Sequence, residues 1–493
     1  MKRDNIGFRV GSGVDGLDEV LCGGFVKNRA YLVRGGPGTG KTILGMHFLA
    51  AGARQGERCL FITLGEPAEQ LRQNGTALGL NLGGVHFLDL SPTPEFFADA
   101  ESYDIFSPAE VELEPTTRRI VGEIESFKPQ RVFLDAMTQF RYLSAEPFHF
   151  FKQVLSFLRF LVAQGATVVF TSEGSPTAPD EDLQFMADGV IALAATPNGR
   201  ALNVAKFRGS GFLDGWHSLR LDESGLTIFP RLVPELPSAE STAELLSSGV
   251  AEVDELLHGG IERGTVSIVS GPSGVGKTTL CLQILKEAAG RGEPAIAYTF
   301  EESAEMIQRR CEAIGLPIRP LVESGILTLR QVEPLRFSPG EFYCLVRHDI
   351  EAKGARTVLI DSVAGFRLAL RGEDLVSDLH TLCRELRNRG TTVLLVDEVE
   401  SITGDFQATE TGLGYLADNI VFLRYLEVRG GLRKAIGVLK KRLGDFEKTL
   451  REIEITRDGI KVGKPLTELR GILTGTPEWR HEWRHKSGDA GGP

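Results

Sequence analysis

Short apolar runs without polar alternation recur along the chain, separated by longer stretches of helical period. In the first half they are Ala30–Val33, Cys59–Thr63, Val132–Leu134 and Thr167–Phe170; in the second, Val266–Val269, Ala295–Thr299, Thr357–Ile360 and Thr391–Val396. A strand with one wet face alternates apolar and polar residues, whereas a strand covered by helices on both faces stays apolar, as in parallel sheets. Helices are expected between these runs, roughly over Phe148–Gln164 and Asp374–Arg389. Leu17, Val20 and Leu21, like Val253, Leu256 and Leu257, have the i, i+3, i+4 spacing of a short helical turn on a core. Gly23-Gly24 and Gly259-Gly260 would close those turns. Near Leu202–Leu226 and Ala435–Ile460 the pattern changes to antiparallel strands and hairpins. The expectation is an α/β fold with two largely parallel sheets.

Pro230, Pro234 and Pro237 punctuate a stretch rich in Ser and Glu, which reads as a linker. The chain therefore divides into a first domain over 1–232, a linker over 233–242, a second domain over 243–475 and a flexible tail over 476–493. Asp89–Pro115, with several prolines, is expected to be a loop region with short helices. A chain of 493 residues can bury two ordinary cores. The net charge of −11 argues against a predominantly electrostatic nucleic-acid binder. No window approaches 18 consecutive apolar residues, so no membrane span is expected. The first residues lack the apolar stretch of a signal peptide. Six scattered cysteines without a Cys-x-x-Cys pair fit a reducing cytoplasm. His481 and His485 lack the partners of a zinc site.

The two halves carry the same phosphate-binding motif. Gly35-Gly36-Pro37-Gly38-Thr39-Gly40-Lys41-Thr42 is followed 236 positions later by Gly271-Pro272-Ser273-Gly274-Val275-Gly276-Lys277-Thr278. A glycine-rich loop between strand and helix turns successive backbone N–H groups toward phosphate oxygens. Gly36, Gly38, Thr39 and Gly40, and Gly271, Ser273, Gly274, Val275, Gly276 and Thr279, are expected to form these cradles. Lys41 and Lys277 would reach the β- and γ-oxygens, and the Thr42 and Thr278 hydroxyls would ligate Mg²⁺. Asp135 and Asp361 each end an apolar strand, where a carboxylate can position the same metal. ATP and Mg²⁺ are the cofactors implied.

Phosphoryl transfer or hydrolysis also needs a group that orients the nucleophile or takes its proton. The second strand of the later copy ends in Phe300-Glu301-Glu302; its counterpart is Leu64-Gly65-Glu66. One copy offers adjacent carboxylates, Glu301 and Glu302, and the other only Glu66. Adjacent residues leaving a strand point in different directions, so Glu66 is not a simple replacement. The first site is expected to be weakened or reorganised.

With the duplicated loops, these strand-end carboxylates and two late basic motifs, the chain resembles the KaiC-like tandem ATPases of the RecA superfamily over about residues 7–475. The resemblance implies two RecA-like P-loop domains in a two-tiered homohexamer, with ATP between neighbouring subunits. It also implies a small KaiB-like regulatory partner. Lys206 and Arg208, and Lys440 and Arg442, match the family's trans-acting Lys-x-Arg pattern and would contact a neighbour's nucleotide. The family extends to serine/threonine autokinase activity, but Gly414 and Tyr415 stand where the acceptor hydroxyls fall, and Thr409 and Thr411 are displaced from that place. The leading reading is an oligomeric, Mg²⁺-dependent ATPase serving as a regulatory switch. A RecA- or DnaB-like DNA-dependent ATPase and an ATP-stabilised, non-catalytic scaffold are the alternatives.

Overall fold

The computed structural model describes residues 8–91, 108–139, 147–174, 179–197, 199–232, 244–370, 374–399, 413–428, 430–470 and 478–479. The linker, Thr409, Thr411, His481 and His485 lie outside them. Two compact units are present, Met1–Arg231 and Leu232–Pro493.

The first unit is built on a nine-stranded sheet: β1 (Ala30–Arg34), β2 (Cys59–Thr63), β3 (Val85–Asp89), β4 (Arg131–Asp135), β5 (Thr167–Ser172), β6 (Gly189–Thr196), β7 (Gly199–Phe207), β8 (Trp216–Asp222) and β9 (Gly225–Phe229). Its order is β3-β2-β4-β5-β1-β6-β7-β8-β9. The second unit repeats it with β10 (Val266–Gly271), β11 (Ala295–Thr299), β12 (Leu327–Gln331), β13 (Thr357–Asp361), β14 (Thr392–Glu398), β15 (Asn419–Val428), β16 (Gly431–Lys441), β17 (Arg451–Thr456) and β18 (Gly459–Pro465), ordered β12-β11-β13-β14-β10-β15-β16-β17-β18. In each sheet the first six strands in that order are parallel and the last three add antiparallel. This is the architecture of tandem RecA-like P-loop NTPase domains.

The apolar runs become central strands because both faces are covered. In the first unit Tyr31, Val33, Phe61 and Phe133 pack with Leu44 and Phe48 of the helix Lys41–Arg54. Leu32, Leu60, Ile62 and Leu134 pack with Phe150, Val154, Leu158 and Leu161 of the helix Pro147–Ala163. Each large side chain so buried contributes about 1.5–3 kcal/mol against exposure. The helix Lys41–Arg54 sits close because Gly45 faces the Phe133 ring; a Cβ there would fall 2.1 Å from Phe133 Cζ.

One expectation changes. Residues 108–115 are not loop but the start of the helix Pro108–Phe127, whose Ile120 and Ile124 are buried with helical spacing. Pro108 opens that helix, at a position whose N–H has no intrahelical partner in any case. The antiparallel strands begin at Gly199 and Gly431, close to where the hairpin pattern places them, and fold back on β6 and β15, the last strands of the parallel set. No helix among the described residues is long and apolar enough to cross a membrane.

Two buried histidines pin the antiparallel part of the first sheet. His47 Nδ1 lies 3.0 Å from the Gly13 carbonyl and Nε2 lies 3.0 Å from the Leu226 N–H. His217 Nε2 faces the Leu213 carbonyl at 3.0 Å, and its Nδ1 faces the Arg231 N–H at 2.9 Å. Each ring is satisfied only when neutral, one nitrogen donating and the other accepting. Burial lowers both pKa values. The folded state then binds fewer protons than the unfolded one, so this stabilisation is complete above the unfolded value of about 6.5 and is lost as pH falls through and below it. Thermal unfolding of the first unit should therefore shift downward between pH 7.5 and 5.5. His47→Gln, which installs the residue found at Gln283, should flatten that shift; an unchanged pH profile would count against the histidine contribution.

Candidate functional site

Strand register brings the sequence motifs together at one end of each sheet. Thr63 pairs with Asp135 and Thr299 with Asp361, so the residues after β2 and β11 emerge beside the strand-end aspartates. Each phosphate loop leaves β1 or β10, one strand beyond β4 or β13 across β5 or β14, and enters the helix Lys41–Arg54 or Lys277–Gly290. Gly40 (φ 102°) and Gly276 (φ 119°) hold the turn into these helices in the left-handed region, where a Cβ is disfavoured. A Cβ at Gly276 would also meet Ile455 of the antiparallel strand β17 at 2.4 Å.

The lysines lie across their own loops. Lys41 Nζ donates to the Gly35 and Gly36 carbonyls (2.8 and 3.0 Å), and Lys277 Nζ to those of Gly271 and Pro272 (2.8 and 2.9 Å). Burial lowers both pKa values, opposed by Asp135 and Glu173 at Lys41 and by Glu398, Asp361 and Asp397 at Lys277. The Thr42 hydroxyl donates to Asp135 at 2.6 Å, and Thr278 bonds Asp361 in the same way. Burial raises Asp361 to about 6, against the pull of Thr278 and Arg310 and with that of Glu302 and Glu301. A hydroxyl and a carboxylate this close are hard oxygen donors of the kind that bind Mg²⁺ together with substrate phosphates. Val275 is fully buried in the core, so it offers the loop its backbone only, while its counterpart Thr39 bonds the Gly36 carbonyl at 2.8 Å.

In the second unit a cavity of about 390 Å³ gathers Ser273, Gly274, Gly276, Lys277, Thr278 and Thr279 with Glu301, Glu302 and Asp361. Among the further residues that line it, Arg310, Ser362 and Glu398 are polar groups that sequence reading did not assign to the site. Glu398 ends β14 directly beside Gly271, and its counterpart Glu173 follows β5. A signal for both existed, since each glutamate closes an apolar run. Two basic side chains also touch the loops from the antiparallel strands: Arg200 donates to the Gly38 carbonyl (3.2 Å) and Lys434 to that of Gly274 (3.1 Å).

The turn after the second strand is the same in both units. Thr63 bonds the Glu66 carbonyl (2.6 Å) as Thr299 bonds that of Glu302 (2.9 Å). The difference is in the side chains. A Cβ at Gly65 would lie 2.6 Å from Gln139 Nε2, so the Gln139 amide occupies the space of the missing carboxylate. At the place in the second unit matching Gln139 stands Gly365, whose own Cβ would meet Phe300 at 2.7 Å.

Lys440 and Arg442 are not among the residues that line the second-unit cavity. Lys206 donates to the Gln184 and Phe185 carbonyls (2.9 and 3.1 Å), and Lys440 to those of Gly414 and Ala417 (3.0 and 2.7 Å). Arg442 pairs with Asp418 at 3.0 Å, Arg208 approaches Asp188 at 4.0 Å, and both guanidinium groups are about half exposed. The lysines thus hold their own chain, and the arginines remain open to the outside. Tyr415 is exposed and lies against the His380 ring, centroids 5.4 Å apart.

Fold and site together define a tandem P-loop ATPase. A family model described as ATPase: KaiC matches residues 10–233 and 246–467, and the chain belongs to that family. It is 26% identical to the circadian clock oscillator protein KaiC of Picosynechococcus sp., covering 94% of this chain and 91% of that protein. The circadian clock protein KaiC3 of Synechocystis sp. is 27% identical, with 94% of each chain covered. KaiC of Acaryochloris marina is 26% identical over 481 residues.

The exchange between Gly65 and Gln139 yields a test. With the second site silenced by Lys277→Ala, Gly65→Glu alone must displace the Gln139 amide, whereas Gly65→Glu with Gln139→Gly reproduces the second unit's pair. First-site ATP turnover should rise in the double variant above that of Gly65→Glu. Equal rates would show that Gln139 does not compete for the position.

Proposed function

We propose that the chain is an Mg²⁺-dependent ATPase whose second unit supplies most of the turnover, acting as a switch in an oligomer. The observation that carries this reading is the cavity on which Lys277, Thr278, Glu301, Glu302 and Asp361 converge. The loop N–H groups and Lys277 would bind the triphosphate. Thr278 and Asp361 would hold Mg²⁺, which neutralises charge on the phosphates. Glu301, exposed beside the strand end, would orient the attacking water or take its proton. The first unit keeps Lys41, Thr42, Asp135 and Glu66 but carries Gly65, so it is assigned to nucleotide binding and assembly more than to turnover.

In a closed ring the exposed Arg208 and Arg442 would meet a neighbour's nucleotide across a heterologous interface, and the two units would form its two tiers. ATP would then stabilise the assembly by completing the interface, and turnover would alter its affinity for a small regulatory protein. The relatives' names place them in circadian clocks. For this chain the proposal is hydrolysis rather than self-phosphorylation, because Gly414 has no hydroxyl and Tyr415 carries its own on a long side chain seated against His380.

Glu301→Gln should lower ATP turnover on the order of 10²-fold, and Glu66→Gln much less; near-normal turnover in the first variant would sink the assignment of Glu301. Mass spectrometry of the wild-type reaction should find no phosphate on Tyr415. Sizing in ATP and in its absence checks the ring, which a monomer under both conditions would exclude.

A further inference from the structure

Arg310 is the second-unit cavity residue whose bonding is left incomplete. It projects from the helix Ala304–Ala313 onto the same wall as Lys277, Thr278 and Asp361. Its Nη1 donates to Glu302 Oε1 at 2.5 Å. Nε and Nη2, the other edge of the fork, are buried and have no hydrogen-bond partner. Buried N–H groups without an acceptor are costly, more so on a charged group. A planar guanidinium with one edge fixed and the other free is suited to a phosphate oxygen.

Its position favours the terminal phosphate over the base. Arg310 lines the cavity together with Asp361 and Thr278, the carboxylate and hydroxyl at the metal side of the loop. Four carboxylates, Glu301, Glu302, Asp361 and Glu398, line this cavity, with Lys277 and Arg310 as its cations. A triphosphate brought here adds negative charge to an already acidic wall, and Arg310 offsets it within the same chain. Pairing with Glu302 fixes the direction of the fork and leaves Glu301 unencumbered. The matching position in the first unit, 236 residues earlier, is Asn74, so this device belongs to the second site alone.

We propose that Arg310 is a cis-acting sensor of the terminal phosphate: its Nε and Nη2 edge donates to a γ-phosphate oxygen of the nucleotide held on the Lys277 loop, so that the second site discriminates ATP from ADP. This rests on the second cavity being the nucleotide site, and the test separates the two claims. In full-length protein carrying Lys41→Ala, affinities for ATPγS and ADP are measured with Mg²⁺ for Arg310, Arg310→Asn and Arg310→Lys. Arg310→Asn should weaken ATPγS on the order of 10-fold and ADP less than about 3-fold. Arg310→Lys, which keeps the charge but not the fork, should fall between. Asparagine is the residue the first unit carries on the equivalent helix, and should it fail to fold here, the lysine variant still reads out the ATPγS-to-ADP ratio. An unchanged ratio in either folded variant overturns the proposal, including the case of equal losses for both nucleotides, which would mean that Arg310 only supports Glu302. Absence of binding of both nucleotides to the Lys41→Ala parent would instead overturn the reading of the cavity.

Discussion

The hydroxyl–carboxylate bond between Thr42 and Asp135, repeated by Thr278 and Asp361, is the constraint on which each site depends. It joins the first turn of a helix to the end of a strand that is not its neighbour in sequence. It can form only if β4 or β13 lies in register with the strands between it and the phosphate loop. That register is secured by apolar faces buried on both sides, since a one-residue slip would turn every buried side chain to the opposite face. Packing thus determines where the charges meet. The raised pKa of Asp361 is a cost of that placement, arising from burial among other carboxylates.

Around this shared frame the copies have diverged through reciprocal exchanges rather than simple losses. Where the second unit has Glu301 with Gly365, the first has Gly65 with Gln139; the Gln139 amide lies against Gly65, and Phe300 lies against Gly365. Where the second unit has Arg310, the first has Asn74. His47 and Gln283 likewise hold the same glycine carbonyl, Gly13 or Gly249, with different chemistry. The backbone turn that carries these side chains is unchanged, as the paired bonds from Thr63 and Thr299 show. Site chemistry has therefore changed without a change of scaffold.

Much of this was legible in the chain itself. The phosphate loops, Asp135 and Asp361 follow from local pattern, because glycine spacing and strand-end position are sequence properties. The central strands were legible for the same reason. Arg310 and Gln139 were not, because each lies on an element that reads as ordinary helix or turn and reaches its site only through tertiary packing. The helix over Pro108–Phe127 was hidden by its prolines, although its Ile120 and Ile124 carried the right spacing. The lysines of the late motifs show a further limit: composition revealed two cations, while geometry gave one to its own chain and left the other exposed.

The strand end that bears those cations contains one residue more than its partner. On β7 the pairing shifts between Val204 and Lys206, leaving Ala205 unmatched, and on β16 Leu439 is passed over in the same way. Before the shift, Leu202 and Val204 face the core; after it, Phe207 does, against the Tyr31 ring. The extra residue acts as a change of parity. Were the same residues to run on in unbroken alternation with no bulge, the pattern that buries Leu202 and Val204 would carry Lys206 and Arg208 inward and Phe207 outward. Whether this edge of the molecule presents charge or hydrocarbon is thus encoded by an odd number of residues, at a position whose own side chain has no part in the chemistry.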